Sequence, residues 1–417
     1  MTLSSYWRLL RDNRNFRLLW FAQIVSELGD WFYSVAILSF LLELTGSAQV
    51  VSFAFLMQVL PNTLIAPAAG VINDRLSRKK VMIASDLASA VLVFSMLLVR
   101  SRGSMWLLFL LLFCQAMSWG LFEPGRSAVI PNIVAHDEIP SANALSSTTW
   151  SVNFAIGTGL GGLALVSFGR EAVFVLNSLS FLGSAWLIRR MRFQEPHAEN
   201  RPPLRVRDLF GFSEIADGAR YIARDRQLLA TVFVKGGIGL MGANWVILPV
   251  MGERVFPLRL GGMNAQQAGT LGMSALFASR GIGALVGAFA AAGFAKSDPG
   301  RLRLTILLGF LLAGAGYVAL GTVAGSLTIA ALTLIAAHCG GSACWTASTT
   351  LLQQQTEDRF RGRVFSTETA AMTLALSISS FIAGRVMDAG MDPRMVAIGT
   401  GVTTLFPAAL WLIASRR

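Results

Sequence analysis

The chain has 417 residues, of which 54% are hydrophobic and only 14% are charged. A soluble protein usually carries about 25% charged residues, so too little polar surface is present to cover a water-soluble globule. The same composition excludes a disordered chain, a coiled coil and a disulfide scaffold. The net charge of +12 does not indicate nucleic-acid binding, because the basic residues lie in short segments between apolar runs.

Long apolar runs separated by short polar breaks predict an all-α polytopic membrane protein. A bilayer span needs about 20 apolar residues, whereas a β-barrel strand needs only about 10 residues of alternating polarity. The runs are too long and too uniformly apolar for a barrel. Twelve transmembrane helices are predicted over residues 17–42, 48–72, 80–100, 104–124, 141–167, 171–190, 227–250, 265–293, 302–322, 326–349, 364–387 and 394–414.

The distribution of lysine and arginine predicts the orientation in the membrane. With the N-terminus in the cytoplasm, 26 Lys and Arg residues fall on the cytoplasmic side and 6 on the other. Positively charged loops stay inside the cell, so we expect a multi-pass plasma (inner) membrane protein with both termini cytoplasmic.

The longest polar stretch, residues 191–226, divides the chain into two halves. We predict an N-terminal six-helix bundle over 1–190, a cytoplasmic linker with an amphipathic segment, and a C-terminal six-helix bundle over 227–417. The halves show short self-similarities, as transporter repeats do. The pair Asp30–Trp31 in the first span, for example, has its counterpart in Asn244–Trp245 of the seventh.

The turn after the second span carries the most informative motif, G-V-I-N-D-R-L-S-R-K-K over residues 70–80. An ordinary cytoplasmic loop explains its basic residues but not the spacing of Gly70 and Asp74. This segment resembles the G-x-x-x-D-R-x-x-R-K-K loop of the major facilitator superfamily. The resemblance implies the major facilitator fold, with two pseudo-symmetric six-helix bundles.

In that family this turn controls the cytoplasmic gate. The resemblance implies that Asp74 faces the N-terminus of the eleventh span, where a helix end favours an anion. It also implies that Arg78 pairs with an acid at the end of the fourth span, for which Glu123 is suitably placed. The gate residues predicted in this way are Gly70, Asp74, Arg75, Arg78 and Glu123.

Three further motifs narrow the resemblance: Q-I-V-S-E-L-G-D-W over residues 23–31, F-E-P-G-R-S-A-V-I-P over 122–131 and A-N-A-L over 142–145. They are similar to the drug:proton antiporter-3 group, which includes macrolide efflux and enterobactin exporter-like permeases. The resemblance implies antiport, with efflux of an amphipathic drug-like compound or a siderophore, and hence multidrug resistance. Import, or flipping of an anionic lipid or metabolite, is the alternative.

Glu27 and Asp30 are the predicted proton-coupling residues of the central cavity. Counting 1.5 Å per residue from Arg17 places Glu27 about 15 Å deep, near the bilayer centre. A carboxylate in hydrocarbon is costly, so such residues face an interior cavity and are usually functional. Burial disfavours the charged form, which allows proton uptake on one side and release on the other. The structural alternative is a protonated acid hydrogen-bonded to a neighbouring helix.

Arg280 and Lys235 are cations deep inside spans, and each should pair with an acid or meet an anionic ligand. Pairing with Glu27 or Asp30 is one interpretation, and contact with an anionic substrate group is the other. Asn244 joins them as a substrate-site candidate. Two acids nearer the ends of their spans are explained by snorkelling or gate contacts, namely Asp86 and Glu368.

The fifth span carries a glycine-rich segment similar to that of antiporters in this superfamily, with Thr158 at the usual proline position. Small residues at this spacing allow close helix packing. The segment also fits G-x-G-x-x-G, but a dinucleotide site needs a preceding strand. The predicted packing residues are Gly157, Gly159, Gly161 and Gly162.

No sequence feature predicts an enzyme or a receptor, since we find neither a nucleophile–base pair nor a sizeable soluble domain. None of the four lysines follows a glycine, so a phosphate-binding loop for ATP is excluded. The three cysteines and three histidines form no metal-ligand spacing. We therefore expect no cofactor and no metal, with the proton gradient as driving force, a small-molecule substrate, the lipid bilayer as surroundings and a monomeric chain.

Overall fold

The computed structural model describes residues 3–195, 220–223, 225–295, 298–357 and 360–414, and helices account for nearly all of them. No strand occurs within these ranges. The helices are α1 (Leu3–Asp12), α2 (Arg14–Thr45), α3 (Ala48–Arg75), α4 (Arg78–Ser95), α5 (Met105–Ile133), α6 (Ile139–Arg189), α7 (Arg226–Gly239), α8 (Asn244–Arg254), α9 (Ala265–Ala295), α10 (Pro299–Thr322), α11 (Leu327–Gln355), α12 (Arg361–Asp388) and α13 (Pro393–Ala414).

Eleven helical stretches of the described residues are long and apolar enough to cross a membrane. One of them, α6, has 51 residues and would be about 77 Å long if straight, more than twice the hydrocarbon thickness. Its backbone breaks at Gly169, where φ is 79°. Glycine is the residue that tolerates this left-handed conformation. The break divides α6 into two spans, which gives the twelve that the sequence predicted.

Several boundaries differ from the prediction. Helix α5 continues to Ile133, about two turns beyond the predicted end, because Pro124 and Arg126 are both accommodated within it. The seventh span is not one continuous α-helix, since the 3-10 turn Leu240–Ala243 separates α7 from α8 in its middle. Helix α1 precedes the first span and was not predicted.

The chain forms two compact units. The first comprises Met1–Ala36 and Met57–Gly211, and the second comprises Ile37–Leu56 and Phe212–Arg417. Helices α2 and α3 therefore each run from one unit into the other, with their connecting turn in the second. Most of the predicted cytoplasmic linker, including nearly all of its amphipathic segment, lies outside the described residues.

Each unit has its own apolar core. In the first unit, Phe16, Met82 and Ile188 are among the buried members of one cluster. In the second, Phe310 and Trp411 belong to another. Many large apolar side chains along the spans are nevertheless exposed, Phe168 by 70% for example. Exposure of this extent on helices of membrane-spanning length is expected for surfaces that contact lipid tails.

Candidate functional site

Glu27 lies inside the first unit and accepts hydrogen bonds on both of its carboxyl oxygens. Gln23 Nε2, one turn earlier on α2, donates to Oε1 at 2.9 Å, and Asn153 Nδ2 on α6 donates to Oε2 at 2.9 Å. Both amide residues are buried. This arrangement provides the donor partners that a membrane-embedded carboxyl group needs.

The amide of Gln23 is held in one orientation by two further contacts. Its Nε2 also donates to the Ser146 carbonyl at 3.0 Å, and its Oε1 accepts from Arg126 at 3.2 Å. Arg126 in turn makes a bidentate ion pair with Glu123, one turn away on α5. A continuous hydrogen-bonded chain therefore joins Glu123 to Glu27 across two helices.

Asp30 is one turn beyond Glu27 on α2 and accepts a hydrogen bond from Asn177, at 3.4 Å. Asn177 lies on the second half of α6 and is completely buried. The two helices approach closely here because Gly29 has no side chain, and a Cβ at that position would lie 2.4 Å from Asn177 Oδ1.

Asp86 on α4 is a third carboxyl group in the same region. The snorkelling explanation for it is wrong, because its side chain is only 3% exposed and one oxygen has no hydrogen-bond partner among the described residues. It lines a cavity of the first unit together with Glu27, Asp30, Glu123 and Arg126. The remaining walls of this acidic cavity include Trp119, Phe122 and Phe181.

The glycine-rich segment of α6 packs against α2 directly above these acids. A Cβ on Gly157 would lie 2.7 Å from Trp31 Cβ, and one on Gly161 would lie 2.9 Å from Phe32 Cα. Trp31 is further enclosed by Phe154, with ring centroids 4.4 Å apart. These two glycines therefore set the distance between α2 and α6 on which the Glu27–Asn153 hydrogen bond depends.

The predicted Arg78–Glu123 pair does not form. Arg78 donates to the backbone carbonyls of Ala128, at 2.8 Å, and Asn73, at 3.2 Å, and its nearest carboxylate is Asp74 at 3.6 Å. Glu123 is occupied by Arg126, which lies within α5 rather than in a loop. The predicted contact of Asp74 with the eleventh span would join the two units and stays a prediction, as do the gate roles of Gly70 and Arg75.

Lys235 and Glu368 form a buried ion pair in the second unit, with Nζ and Oε2 2.8 Å apart. The prediction that Lys235 pairs with Glu27 or Asp30 is wrong, and so is the snorkelling explanation for Glu368. Lys235 is 6% exposed and Glu368 is fully buried. The Lys235 ammonium also lies 4.4 Å from the Trp345 ring centroid, so it is enclosed on a second side.

Arg280 and Asn244 occupy a different part of the second unit. The Arg280 guanidinium lies over the Trp245 ring, 4.1 Å from its centroid. Asn244 is buried at the start of α8 and donates to the Met241 carbonyl. A hydrogen bond of 2.8 Å joins Tyr317 to His338 between α10 and α11, a pair that the sequence analysis did not identify.

Sequence reasoning missed the residues that hold the acids, namely Gln23, Asn153, Asn177 and Arg126. Gln23 was detectable, since it lies four residues before Glu27 and therefore on the same helix face. The others come from helices far away in sequence, and no local spacing indicates them. Among the described residues, no group of three His, Cys, Asp or Glu side chains is arranged to hold a metal ion.

Comparison with known proteins identifies the family. Residues 19–367 match the sequence model of the Major Facilitator Superfamily. The chain belongs to this superfamily. It is similar to macrolide efflux protein A of Streptococcus pyogenes, with 24% identity over 89% of each chain. It is also similar to the putative bacilysin exporter BacE of Bacillus amyloliquefaciens, with 26% identity over 92% of this chain and 91% of that protein.

A solved structure supports the same fold. A POT family transporter in complex with thioalcohol conjugated peptide superposes with a TM-score of 0.75, covering 97% of this chain and 96% of that one at 13% identity. The prediction of an all-α membrane protein with the major facilitator fold is therefore confirmed. The protein is a multi-pass membrane transporter, and its named relatives include exporters.

Proposed function

We propose that this transporter exports an amphipathic small molecule in exchange for protons. The observation that carries the proposal is the acidic cavity of the first unit, where Glu27, Asp30 and Asp86 line one space with the aromatic side chains Trp119 and Phe181. Carboxyl groups at membrane depth take part in proton relays. The names of the two relatives, a macrolide efflux protein and a putative bacilysin exporter, favour export over import.

The hydrogen bonds of Glu27 suggest how it handles a proton. Gln23 is fixed by Arg126 and by the Ser146 carbonyl, so it presents only its N–H to Glu27 and favours the ionised form. Among the described residues, the Asn153 side chain hydrogen-bonds to Oε2 of Glu27 alone, and its amide can turn to present its oxygen instead. We therefore assign proton binding to Oε2, with Asn153 accepting the proton's hydrogen bond.

Exchange of substrate for protons follows if the carboxyl groups cannot be protonated while the substrate is bound. The acidic cavity has a volume of about 30 Å³, room for about one water molecule, so in this conformation it can exchange protons but cannot hold the cargo. When alternating access opens it, the substrate binds beside the ionised carboxyl groups, and protonation of those groups removes the charges that retain it. Alternating access then carries the substrate one way and protons the other. The proposal places the protein in the plasma membrane with both termini cytoplasmic, as the distribution of basic loops favours.

Transport into proteoliposomes tests the proposal. A labelled macrolide and labelled bacilysin are the cargoes, with and without an imposed pH gradient. We expect the gradient to accelerate counterflow, and Glu27→Gln and Asp30→Asn to abolish that acceleration. Glu171→Gln is the matched control, because Glu171 is 65% exposed and outside the cavity.

The experiment tests proton coupling and the class of cargo independently. Gradient-independent movement of either cargo contradicts proton coupling while leaving the cargo class intact. Movement of neither cargo contradicts the cargo class. Labelled lysophospholipid is included for the alternative of an anionic lipid. Arg280 and Lys235 are the two deep cations that could bind an anionic head group. The charge of Lys235 is neutralised by Glu368, which weakens that alternative.

A further inference from the structure

The end of α6 carries an arginine-lined cavity that the transport mechanism does not use. The cavity is lined by Arg14, from the start of α2, and by four residues around the end of α6, namely Trp186, Arg189, Arg190 and Arg192. All four arginine side chains are exposed. We call this set the arginine pocket, and it lies wholly within the first unit.

The backbone around the arginine pocket is held in place by specific contacts. Asn15 Nδ2 donates to the Arg192 carbonyl at 2.7 Å, and the Arg192 N–H donates to Asn15 Oδ1 at 2.8 Å. This reciprocal pair ties the segment after α6 to the first turn of α2. Ile188 and Met191 are fully buried and anchor the same segment from below. The arginines are therefore positioned by folded structure and not by a loose loop.

The charge of the arginine pocket is not neutralised by the described part of the protein. No carboxylate of the described residues lies within 4 Å of any of these four guanidinium groups, whereas Arg126 has Glu123 and Arg78 has Asp74. The C-terminal end of α6 compensates Arg189 and Arg190 in part, because helix C-termini favour cations. Arg14 has the opposite situation. It is the first residue of α2, and a helix N-terminus favours anions over cations. A bound anion would therefore offset both the unfavourable position of Arg14 and the unneutralised charge of the pocket.

The surroundings indicate that this anion is part of a lipid. The Arg190 guanidinium lies 3.7 Å from the centroid of the Trp186 ring, and that ring is 52% exposed, as is typical of tryptophan at a membrane interface. Leu176, Leu179 and Leu182 precede it along one face of α6 and are 43–55% exposed. An acyl chain has a continuous apolar path along this face toward the arginines.

We propose that the arginine pocket binds the phosphodiester head group of an anionic phospholipid, with an acyl chain along the exposed face of α6. Guanidinium groups bind phosphate oxygens through paired N–H donors, which suits arginine better than lysine. Basic pockets at the cytoplasmic ends of spans are a recognised arrangement for anionic head groups. The site is separate from the acidic cavity and does not depend on the transported substrate.

Native mass spectrometry of the full chain in detergent tests this proposal. Short-chain phosphatidylglycerol is the probe, short-chain phosphatidylcholine is the zwitterionic comparison, and glycerol phosphate is the soluble one. We expect saturable binding of phosphatidylglycerol alone. Arg190→Gln with Arg192→Gln should weaken it about 25-fold, since each basic residue near an anionic surface contributes a factor of about five.

Arg301→Gln with Arg361→Gln is the matched control, because both residues are exposed and the change in charge is the same. Equal loss in the control would show general electrostatic attraction and overturn the site. Equal binding of phosphatidylcholine, or of glycerol phosphate, would overturn the lipid assignment, and so would no binding at all. If the double variant does not purify as a single species, Arg192→Gln alone makes the same comparison, since only its backbone takes part in the contact with Asn15.

Discussion

Lys235 and Glu368 are buried together as an ion pair, so the stability of the protein is sensitive to the loss of either side chain. Their charges are 2.8 Å apart and almost inaccessible to water. Removing one partner of such a pair leaves an uncompensated buried charge and typically costs about 3–5 kcal/mol, whereas replacing both by apolar groups is often nearly neutral. The pair therefore restricts substitution more than its net contribution to stability suggests.

We predict that Lys235→Met lowers the thermal unfolding midpoint of the purified protein substantially, and that adding Glu368→Leu restores most of the loss. The exposed pair of Arg100 and Glu171, 3.9 Å apart, supplies the control, and Glu171→Gln should leave the midpoint unchanged. A double variant as unstable as the single one would show that packing of the lysine chain against Trp345, and not the charge, accounts for the effect.

The contact between α2 and α6 depends on the absence of side chains at two glycines. At Gly161 the nearest atoms are backbone atoms of Phe32 and Trp31, which cannot move without moving α2 itself. A methyl group there must push the helices apart. The hydrogen bond from Asn153 to Glu27 lies along this contact. Asn177 lies beyond the break at Gly169 and meets α2 at Gly29 instead.

We predict that Gly161→Ala destabilises the protein by about 1–3 kcal/mol, the usual cost of overpacking, and slows substrate counterflow. Thermal unfolding and proteoliposome transport measure the two effects. Gly183→Ala in the second span of α6 is the control, because its nearest neighbour, Val25 Cγ1, would be 3.7 Å away in ordinary contact. An unchanged midpoint for Gly161→Ala would contradict the close approach described above.

The N-terminus of α3 is capped by an acid from another helix. Asp388 accepts hydrogen bonds from the Ala48 N–H at 2.7 Å, from the Gln49 N–H at 3.2 Å and from the Ser47 hydroxyl. Asp388 is itself the last residue of α12, an end that disfavours an anion. The favourable end of α3 compensates this placement, so the contact fixes the α2–α3 turn to α12 within the second unit.

Asp388→Ala should accelerate hydrogen exchange at the amides of Ala48 and Gln49 about five-fold or more, since losing a capping side chain costs about 1 kcal/mol. Exchange measured by mass spectrometry on peptides covering the α2–α3 turn checks this. Asp392→Ala serves as the control, because Asp392 caps only its own turn, through the Arg394 N–H. Unchanged exchange in the Asp388 variant would mean that apolar packing alone holds the turn.

For the molecule as a whole, hydropathy predicted the number of spans and the fold class, because a lipid environment leaves helices as the only open structure for such runs. It placed boundaries less well wherever a charge is neutralised inside the bundle. Arg126 ended the predicted fourth span. In the structure it lies within α5 and donates hydrogen bonds to Glu123 and to Gln23 of α2. A sequence shows where a charge lies but not which distant residue satisfies it.

The candidate site was predicted in the same partial way. Depth along the first span was enough to identify Glu27 and Asp30, because burial of a carboxyl group is costly wherever its partners lie. One partner was assigned wrongly, Glu123 for Arg78, and of the two interpretations left open for Lys235 the pairing with the acids of α2 is wrong. Partner choice depends on helix rotation and packing, which the packing glycines influence and which a single sequence does not specify.

The orientation of the whole chain yields a direct prediction. Asp137 lies in the exposed turn between α5 and α6, and Glu171 lies just after the break in α6, so one span separates them. The two must therefore lie on opposite faces of the membrane. The positive-inside count places Asp137 in the cytoplasm and Glu171 outside.

After replacement of the native Cys114, Cys339 and Cys344 by alanine, we expect a cysteine at position 171 to react with a membrane-impermeant maleimide in intact cells. A cysteine at position 137 should react only after the membrane is permeabilised. Equal reaction of both in permeabilised cells is the control for exposure. Labelling of position 137 alone in intact cells would reverse the orientation, and with it the assignment of the arginine pocket to the cytoplasmic leaflet, because α6 ends on the same side of the membrane as it begins.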